Sequence, residues 1–259
     1  MQNSRRNPPL SGCLSTLSRI HVNLGIGNSF MDSWEGYWNS IRKSGMKAQV
    51  FWDSVPERAA QEDLERFMNY FDPNLPLLDL GCGNGRQSRF LAAHFRKVVG
   101  ADVSPSAIQL AISTTPAGSN IEYRVFDAVD EAAARVLHGE FGDMNIYMRG
   151  VLHMIKRRNR ATFIENLGII LGTRGTLYQI ELPAEAILYL RELPETLFAG
   201  IPKITRRIGF NLEERQVYYP DEKWIVLDQG QPVFIHTVPL SDGDTGAVPA
   251  NYLIARRRN

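Results

Sequence analysis

The chain has 259 residues, 44% hydrophobic and 22% charged, with 29 basic against 28 acidic side chains for a net charge of +1. That balance suits a globular protein with a sizeable core and requires neither nucleic acid nor an anionic membrane as partner. No apolar stretch approaches the ~20 residues needed to cross a bilayer, so no membrane partner is expected.

Residues 1–30, with NSRRNPP and NLGIGNS, read as a flexible extension, and Met31 as an alternative start. Leu10–Cys13 (LSGC) resembles a lipoprotein processing site, but RRNPP precedes it where an apolar segment is required. Export is therefore rejected and a cytoplasmic protein expected. Cys13 and Cys82 form no disulfide framework, which fits a reducing compartment.

Trp34, Tyr37, Trp38 and Ile41 fall at helical spacing and predict a short helix with one aromatic stripe. Ser54–Glu57 (SVPE) is a capping-box pattern with Pro56 in the first turn. It opens a helix with Ala59, Ala60, Leu64, Phe67, Met68 and Phe71 on one face, stopped by Asp72-Pro73. Then the period changes. LPLLDL predicts a buried strand, GRQSRFLAAHF (85–95) a helix and KVVGADV a strand. Ser104 is the expected N-cap of the next helix, with Pro105 at its first position. A strand over 121–127, a helix over 130–141, a strand over 143–150, a helix over 158–171 and a strand over 175–182 follow. This alternation predicts a parallel sheet covered on both faces.

Residues 184–218 read as helical, broken by Pro194, Gly200, Pro202 and Gly209, a punctuation that suits a movable lid. KWIVLDQG, PVFIHTVP and VPANYLIARRR are three strand-like segments close enough to pair antiparallel. The expected fold class is α/β: a doubly wound, Rossmann-like, mostly parallel sheet with an antiparallel C-terminal hairpin and helical lid segments. The expected organisation is a single domain over 31–259 with cap helices at 31–72, a cofactor-binding core at 75–182, a helical insert at 184–218 and C-terminal strands at 222–259.

The chemistry concentrates in LPLLDLGCGNGRQS, Leu75–Ser88. A P-loop needs Gly-Lys-Ser/Thr at its end, whereas this run ends Gly85-Arg86-Gln87. The dinucleotide fingerprint needs a third glycine where Arg86 stands. Alternate glycines let backbone approach a ligand with no side chain in the way. Asp102, seventeen positions after Gly85, ends the next strand, where a carboxylate can accept both hydrogens of a ribose diol. A dehydrogenase uses the same device, so Asp102 points to adenosine without choosing the cofactor. The bland readings are a tight turn for the glycines, a helix-capping acid for Asp102 and a turn-forming aspartate for Asp127.

The order strand–Asp–x–Gly–x–Gly–x–Gly–helix, with acids in register at Asp102 and Asp127, resembles class I S-adenosylmethionine-dependent methyltransferases. The aromatic N-terminal helix and the Trp224…Val248-Pro249-Ala250 segment look like those of bacterial small-molecule members. The resemblance implies S-adenosyl-L-methionine as cofactor, with Gly81, Gly83 and Gly85 facing its methionine part and Asp79 orienting the amino-acid end. It implies Asp102 at the ribose, Asp127 at the adenine amino group with the backbone of Ala128 beside the ring, and the backbone of Arg149 and Gly150 near the amino group.

An acceptor belongs beyond the ends of the fourth and fifth strands, where such a sheet opens. His153 is the imidazole placed to take a proton there, or else it caps the loop. Glu181 serves as base or amine anchor, or else pairs with an arginine. Trp34, Tyr37 and Trp38 wall a substrate pocket, pack a helix onto the sheet edge, or both. The remaining histidines, His21, His94, His138 and His236, show no metal-ligand spacing with the acids, so no metal is expected.

Lys156–Arg160 (KRRNR) and Arg206-Arg207 are basic, but such runs are mostly solvated helix ends, and nucleic acid is not favoured. Arg191, Lys203, Arg206 and Arg207 offer charge to an acidic acceptor. The expected activity is methyl transfer to a small organic metabolite, in secondary metabolism by the resemblance. A nicotinamide-dependent oxidoreductase and a non-catalytic S-adenosylmethionine-binding protein stand as alternatives. The acceptor atom and the oligomeric state are left open.

Overall fold

The computed structural model describes residues 29–44, 50, 56–192, 209–239 and 245–258. The expected extension up to residue 28 with Cys13, the cap at Ser54, the breaks at Pro194, Gly200 and Pro202, and Lys203, Arg206 and Arg207 lie outside the described residues.

Seven strands form one sheet in the order β3-β2-β1-β4-β5-β7-β6. They are β1 (Leu77–Leu80), β2 (Val98–Asp102), β3 (Ile121–Val125), β4 (Asn145–Arg149), β5 (Leu177–Glu181), β6 (Trp224–Pro239) and β7 (Thr245–Arg257). The first five run parallel, and β7 joins β5 antiparallel with β6 outside it. LLDL and VVGAD carry no alternation because both faces are covered, as parallel strands require. On one face Leu78, Ala101, Ile146 and Leu177 pack on α5 (Glu131–Phe141) and α6 (Arg157–Leu171). On the other, Leu77, Val98, Tyr147 and Tyr178 pack on α2 (Pro56–Phe67) and α3 (Arg86–Leu91). α4 (Pro105–Thr114) carries α1 (Ser29–Ser44). α7 (Ala186–Glu192) and the short α8 (Arg215–Tyr218) lie in the 184–218 insert.

Strand order reverses between β1 and β4, so the chain leaves these neighbours in opposite directions and opens a crevice at their carboxyl ends. The glycine loop leaves β1 there and His153 follows β4. Ser104 caps α4 as expected, its side chain accepting from the Ala107 N–H at 3.1 Å.

Several boundaries differ from expectation. α2 ends at Phe67 rather than at Asp72, because the following turn lets Phe71 stack on Phe67 at 4.4 Å, which extends the apolar periodicity beyond the helix. α3 stops at Leu91, because the Asn120 amide takes the carbonyls of Ala92 and Phe95 at 3.0 and 2.7 Å. The three C-terminal segments are two strands: β6 continues through Gln231-Pro232 with irregular register, and the whole of it pairs with β7. The run Lys156–Arg160 is not uniformly solvated. Arg157 and Arg158 are exposed, but Arg160 is fully buried. No described helix is long and apolar enough to cross a membrane.

Candidate active site

The glycine loop is built by its backbone. Gly81, Gly83 and Gly85 adopt φ of 78°, 54° and 76°, a region that costs any side-chain-bearing residue. Space is closed as well. A β-carbon on Gly83 would lie 2.7 Å from the Trp38 ring, and one on Gly81 would lie 2.5 Å from Val151 Cγ2. The loop is thus pressed between α1 and the turn after β4, and both approaches require glycine.

Two of the predicted acids lie beneath it. Asp79 is buried and accepts from Ser88 Oγ at 2.5 Å. Burial pushes its carboxyl up to about 7, the Ser88 hydrogen bond opposes this, and the Asp102 charge adds to it. Asp102 accepts from the N–H groups of Gly83 at 3.0 Å and Ser104 at 2.9 Å. Burial raises it to about 6 despite those donors, with Glu35 contributing. Asp127, half-buried, accepts from the Val129 N–H at 3.0 Å through Oδ1, and no described residue partners its Oδ2. The Ala128 carbonyl is fixed by the Asn166 amide at 2.9 Å.

Glu35 is a residue the sequence reading missed. From α1 it accepts from Ser104 Oγ and Ser106 Oγ, each at 2.6 Å, and from the Ser106 N–H at 3.1 Å. It thereby pins α1 over the N-terminus of α4, a favourable place for negative charge. The partners are 71 positions apart, beyond any spacing rule. Tyr37 and Trp38 are buried against α4 and the glycine loop rather than the sheet edge, and Trp34 is half-buried beside them, with Leu190 of α7 packed on the same cluster.

At the ends of β4 and β5, Gly150 (φ 70°) turns the chain into a short 3-10 helix, Leu152–Met154. Glu181 is fully buried and grips that turn. It accepts from the N–H groups of Val151 (3.1 Å), Leu152 (2.7 Å) and His153 (3.1 Å), and from His153 Nδ1 at 2.6 Å. Three backbone N–H groups are directed at the Glu181 carboxylate, which accepts from Nδ1 in the same way. Nδ1 therefore carries the proton that faces it, and Nε2 is the ring nitrogen left for an acceptor. No described residue partners Nε2. The ring rests on Gly150, whose hypothetical β-carbon would be 3.4 Å from His153 Cε1. Among the described residues the His153 side chain bonds the Glu181 carboxylate, and no arginine pairs with Glu181. The Arg149 side chain turns away and meets buried Asp63 of α2 at 2.5 Å, leaving its backbone at the crevice.

No group of histidines, cysteines and acids able to hold a metal ion occurs among the described residues. The donor set fits S-adenosylmethionine. Glycines that expose backbone suit a methionine chain, and buried acids held above their ordinary range suit a guest that brings positive charge and ribose hydroxyls.

Comparison with known proteins agrees. Residues 77–175 match the family described as "Methyltransferase domain". A S-adenosylmethionine-dependent methyltransferase from Anabaena variabilis ATCC 29413 is 36% identical, with 90% of this chain and 96% of that one covered and a TM-score of 0.80. A structure reported for the conversion of a disulfide bond into a thioacetal group during echinomycin biosynthesis has a TM-score of 0.66 over 88% of this chain and 92% of its own. At 20% identity it is a likeness of fold. The ubiquinone biosynthesis O-methyltransferase of Cereibacter sphaeroides (strain ATCC 17025) is 41% identical over 81 residues, and the match spans 31% of either chain. More distant methyltransferases of this fold were solved with S-adenosylhomocysteine bound.

Proposed function

The chain belongs to the class I S-adenosylmethionine-dependent methyltransferases, and within that family we propose that it methylates a small organic metabolite at an oxygen or nitrogen atom. The oxidoreductase alternative falls with the family, and so does the non-catalytic one. S-adenosylmethionine is the cofactor and supplies the methyl group on a sulfonium. In this reading the glycine loop and Asp79 hold its amino-acid end, Asp102 accepts its ribose hydroxyls, and Asp127 and the Ala128 backbone meet the adenine. The backbone at Arg149 and Gly150 lies beside its amino group.

The observation that carries the acceptor reading is the His153–Glu181 pair. Glu181 fixes the ring and its tautomer, and no described residue partners Nε2 at the carboxyl end of the sheet. Such a nitrogen accepts the proton that a hydroxyl loses as its oxygen becomes bonded to carbon, or the proton that a neutral amine sheds once its nitrogen has taken the methyl group. A thiol, which ionises nearer neutrality, makes less use of it. The curated relative that matches 81 residues is an O-methyltransferase, which supports oxygen. Trp34, half-buried beside Tyr37 and Trp38, is the aromatic that this reading gives to the acceptor pocket. A place in secondary metabolism rests on the likeness to bacterial small-molecule methyltransferases alone.

The test is methyl-labelled S-adenosylmethionine with a panel of phenols, carboxylic acids, amines and thiols, on wild type and His153→Asn. Transfer to a hydroxyl or amine, slowed ~100-fold or more by the substitution, is expected. Transfer confined to thiols, or indifferent to His153, would overturn the reading.

A further inference from the structure

Arg160 stands last in a basic run, yet its side chain is 0% exposed while Arg157 is largely exposed and pairs with Glu214. No carboxylate of the described residues lies within 4.0 Å of it. Its charge is met instead by carbonyls: Nε donates to Ile155 O at 3.1 Å, Nη1 to Gly209 O at 3.1 Å and Nη2 to His153 O at 3.4 Å. The guanidinium also lies 5.8 Å from the centre of the Tyr218 ring. A buried guanidinium without a counter-ion is costly, and an apolar side chain of similar volume serves a core at least as well. Packing therefore does not account for an arginine here.

The identity of the carbonyls does. Two belong to the His153 turn and lie at the end opposite its N–H groups, which Glu181 holds. The turn is thus held at one end by a carboxylate and at the other by a guanidinium. Burial pushes the Tyr219 hydroxyl well above its usual range, with the Glu181 charge adding to this and Arg160 opposing it, so both charges reach one buried spot. The third carbonyl belongs to Gly209, in a segment stapled across the ends of β5 and β7. There the Phe210 N–H donates to Leu182 O at 3.0 Å, and the Asn251 amide donates to Phe210 O at 2.7 Å. Gly209 itself lies against the Pro183–Ala184 backbone with no room for a β-carbon.

We propose that Arg160 is a positioning residue for His153: by holding the His153 and Ile155 carbonyls and the Gly209 carbonyl together, it fixes the direction of Nε2 and ties it to the seating of Gly209–Phe210 over the acceptor end of the sheet. This rests on the reading of His153 as the proton acceptor. A lysine keeps the charge but cannot span three carbonyls, and a methionine keeps bulk alone.

Long-range proton–nitrogen correlation spectra of the histidine side chains, recorded on the full chain saturated with S-adenosylmethionine, test it without an acceptor. His153→Asn assigns the signal. The expected result is one Nδ1–H tautomer with a single set of sharp ring signals for His153 in wild type. In Arg160→Met the tautomer persists, because Glu181 still accepts from Nδ1, while the Cε1–H and Cδ2–H signals shift and broaden or split, less so in Arg160→Lys, with cofactor affinity unchanged. Should Arg160→Met not fold, Arg160→Lys decides. Ring signals that stay sharp and unshifted in the Arg160 variants overturn the positioning role and leave the His153 reading intact. A wild-type ring with no Nδ1–H tautomer overturns both.

Discussion

The two halves of the crevice each bury acids, and they treat them in opposite ways. Under the glycine loop Asp79 is served chiefly by Ser88, and Asp102 by a few backbone N–H groups, and burial leaves them at about 7 and about 6. Across the switch point Glu181 receives three backbone N–H groups and an imidazole N–H. An acid short of donors in a dry place favours a guest that brings charge or hydroxyls, whereas a saturated one is a brace. Burial alone does not tell a binding carboxylate from a structural one. Counting donors does.

Substitutions that act on one half only break this comparison most sharply. Gly83→Val should abolish S-adenosylmethionine binding, a loss of ~100-fold or more, since the new β-carbon would meet Trp38 at 2.7 Å in a backbone of φ 54°. Calorimetry reads the loss, and the His153 tautomer should survive it. Glu181→Gln should do the reverse. It leaves a ring of N–H donors facing an amide and should cost about 3 kcal/mol of stability by chemical denaturation, with cofactor affinity little changed.

The unequal legibility of the halves follows from distance along the chain. Asp79 and the three glycines lie within one strand–loop–helix, and Asp102 closes the adjoining strand, so spacing alone reveals them. Ser104 capping is as local. The acceptor half is assembled from afar: Glu181 reaches back 28 to 30 positions, Arg160 forward 49, and Asn251 back 41. Lys156–Arg160 reads as a solvated run because composition cannot tell which of several arginines turns inward. The aromatic stripe of α1 was legible as a stripe, but not that Glu35 beside it would cap α4. The single long β6 was hidden by Gln231-Pro232, a pair that elsewhere marks a break.

Smaller effects sharpen the cofactor half. Asp102→Asn removes a charged acceptor for the ribose and should weaken S-adenosylmethionine roughly 10- to 100-fold by calorimetry. The pH dependence has a definite sign. Asp79 and Asp102 hold protons in the folded chain above their ordinary 3.8, so apo stability should fall as pH rises from there through about 6 and about 7. A cationic cofactor favours the ionised acids, so its affinity should rise over the same window. Thermal melts with and without S-adenosylmethionine should therefore differ more above pH 7 than below pH 6, and Asp79→Asn should flatten the trend. Smallest is Asp127→Ala, about 1 kcal/mol of cofactor affinity, since the Ala128 carbonyl stays fixed by Asn166.

The most direct test of the division between the halves is one calorimetric series with S-adenosylmethionine on wild type, Asp102→Asn and His153→Asn. Weakened binding in Asp102→Asn with wild-type affinity in His153→Asn is the predicted result. Equal weakening in both would contradict it, because His153 would then belong to the cofactor's site rather than to the acceptor's.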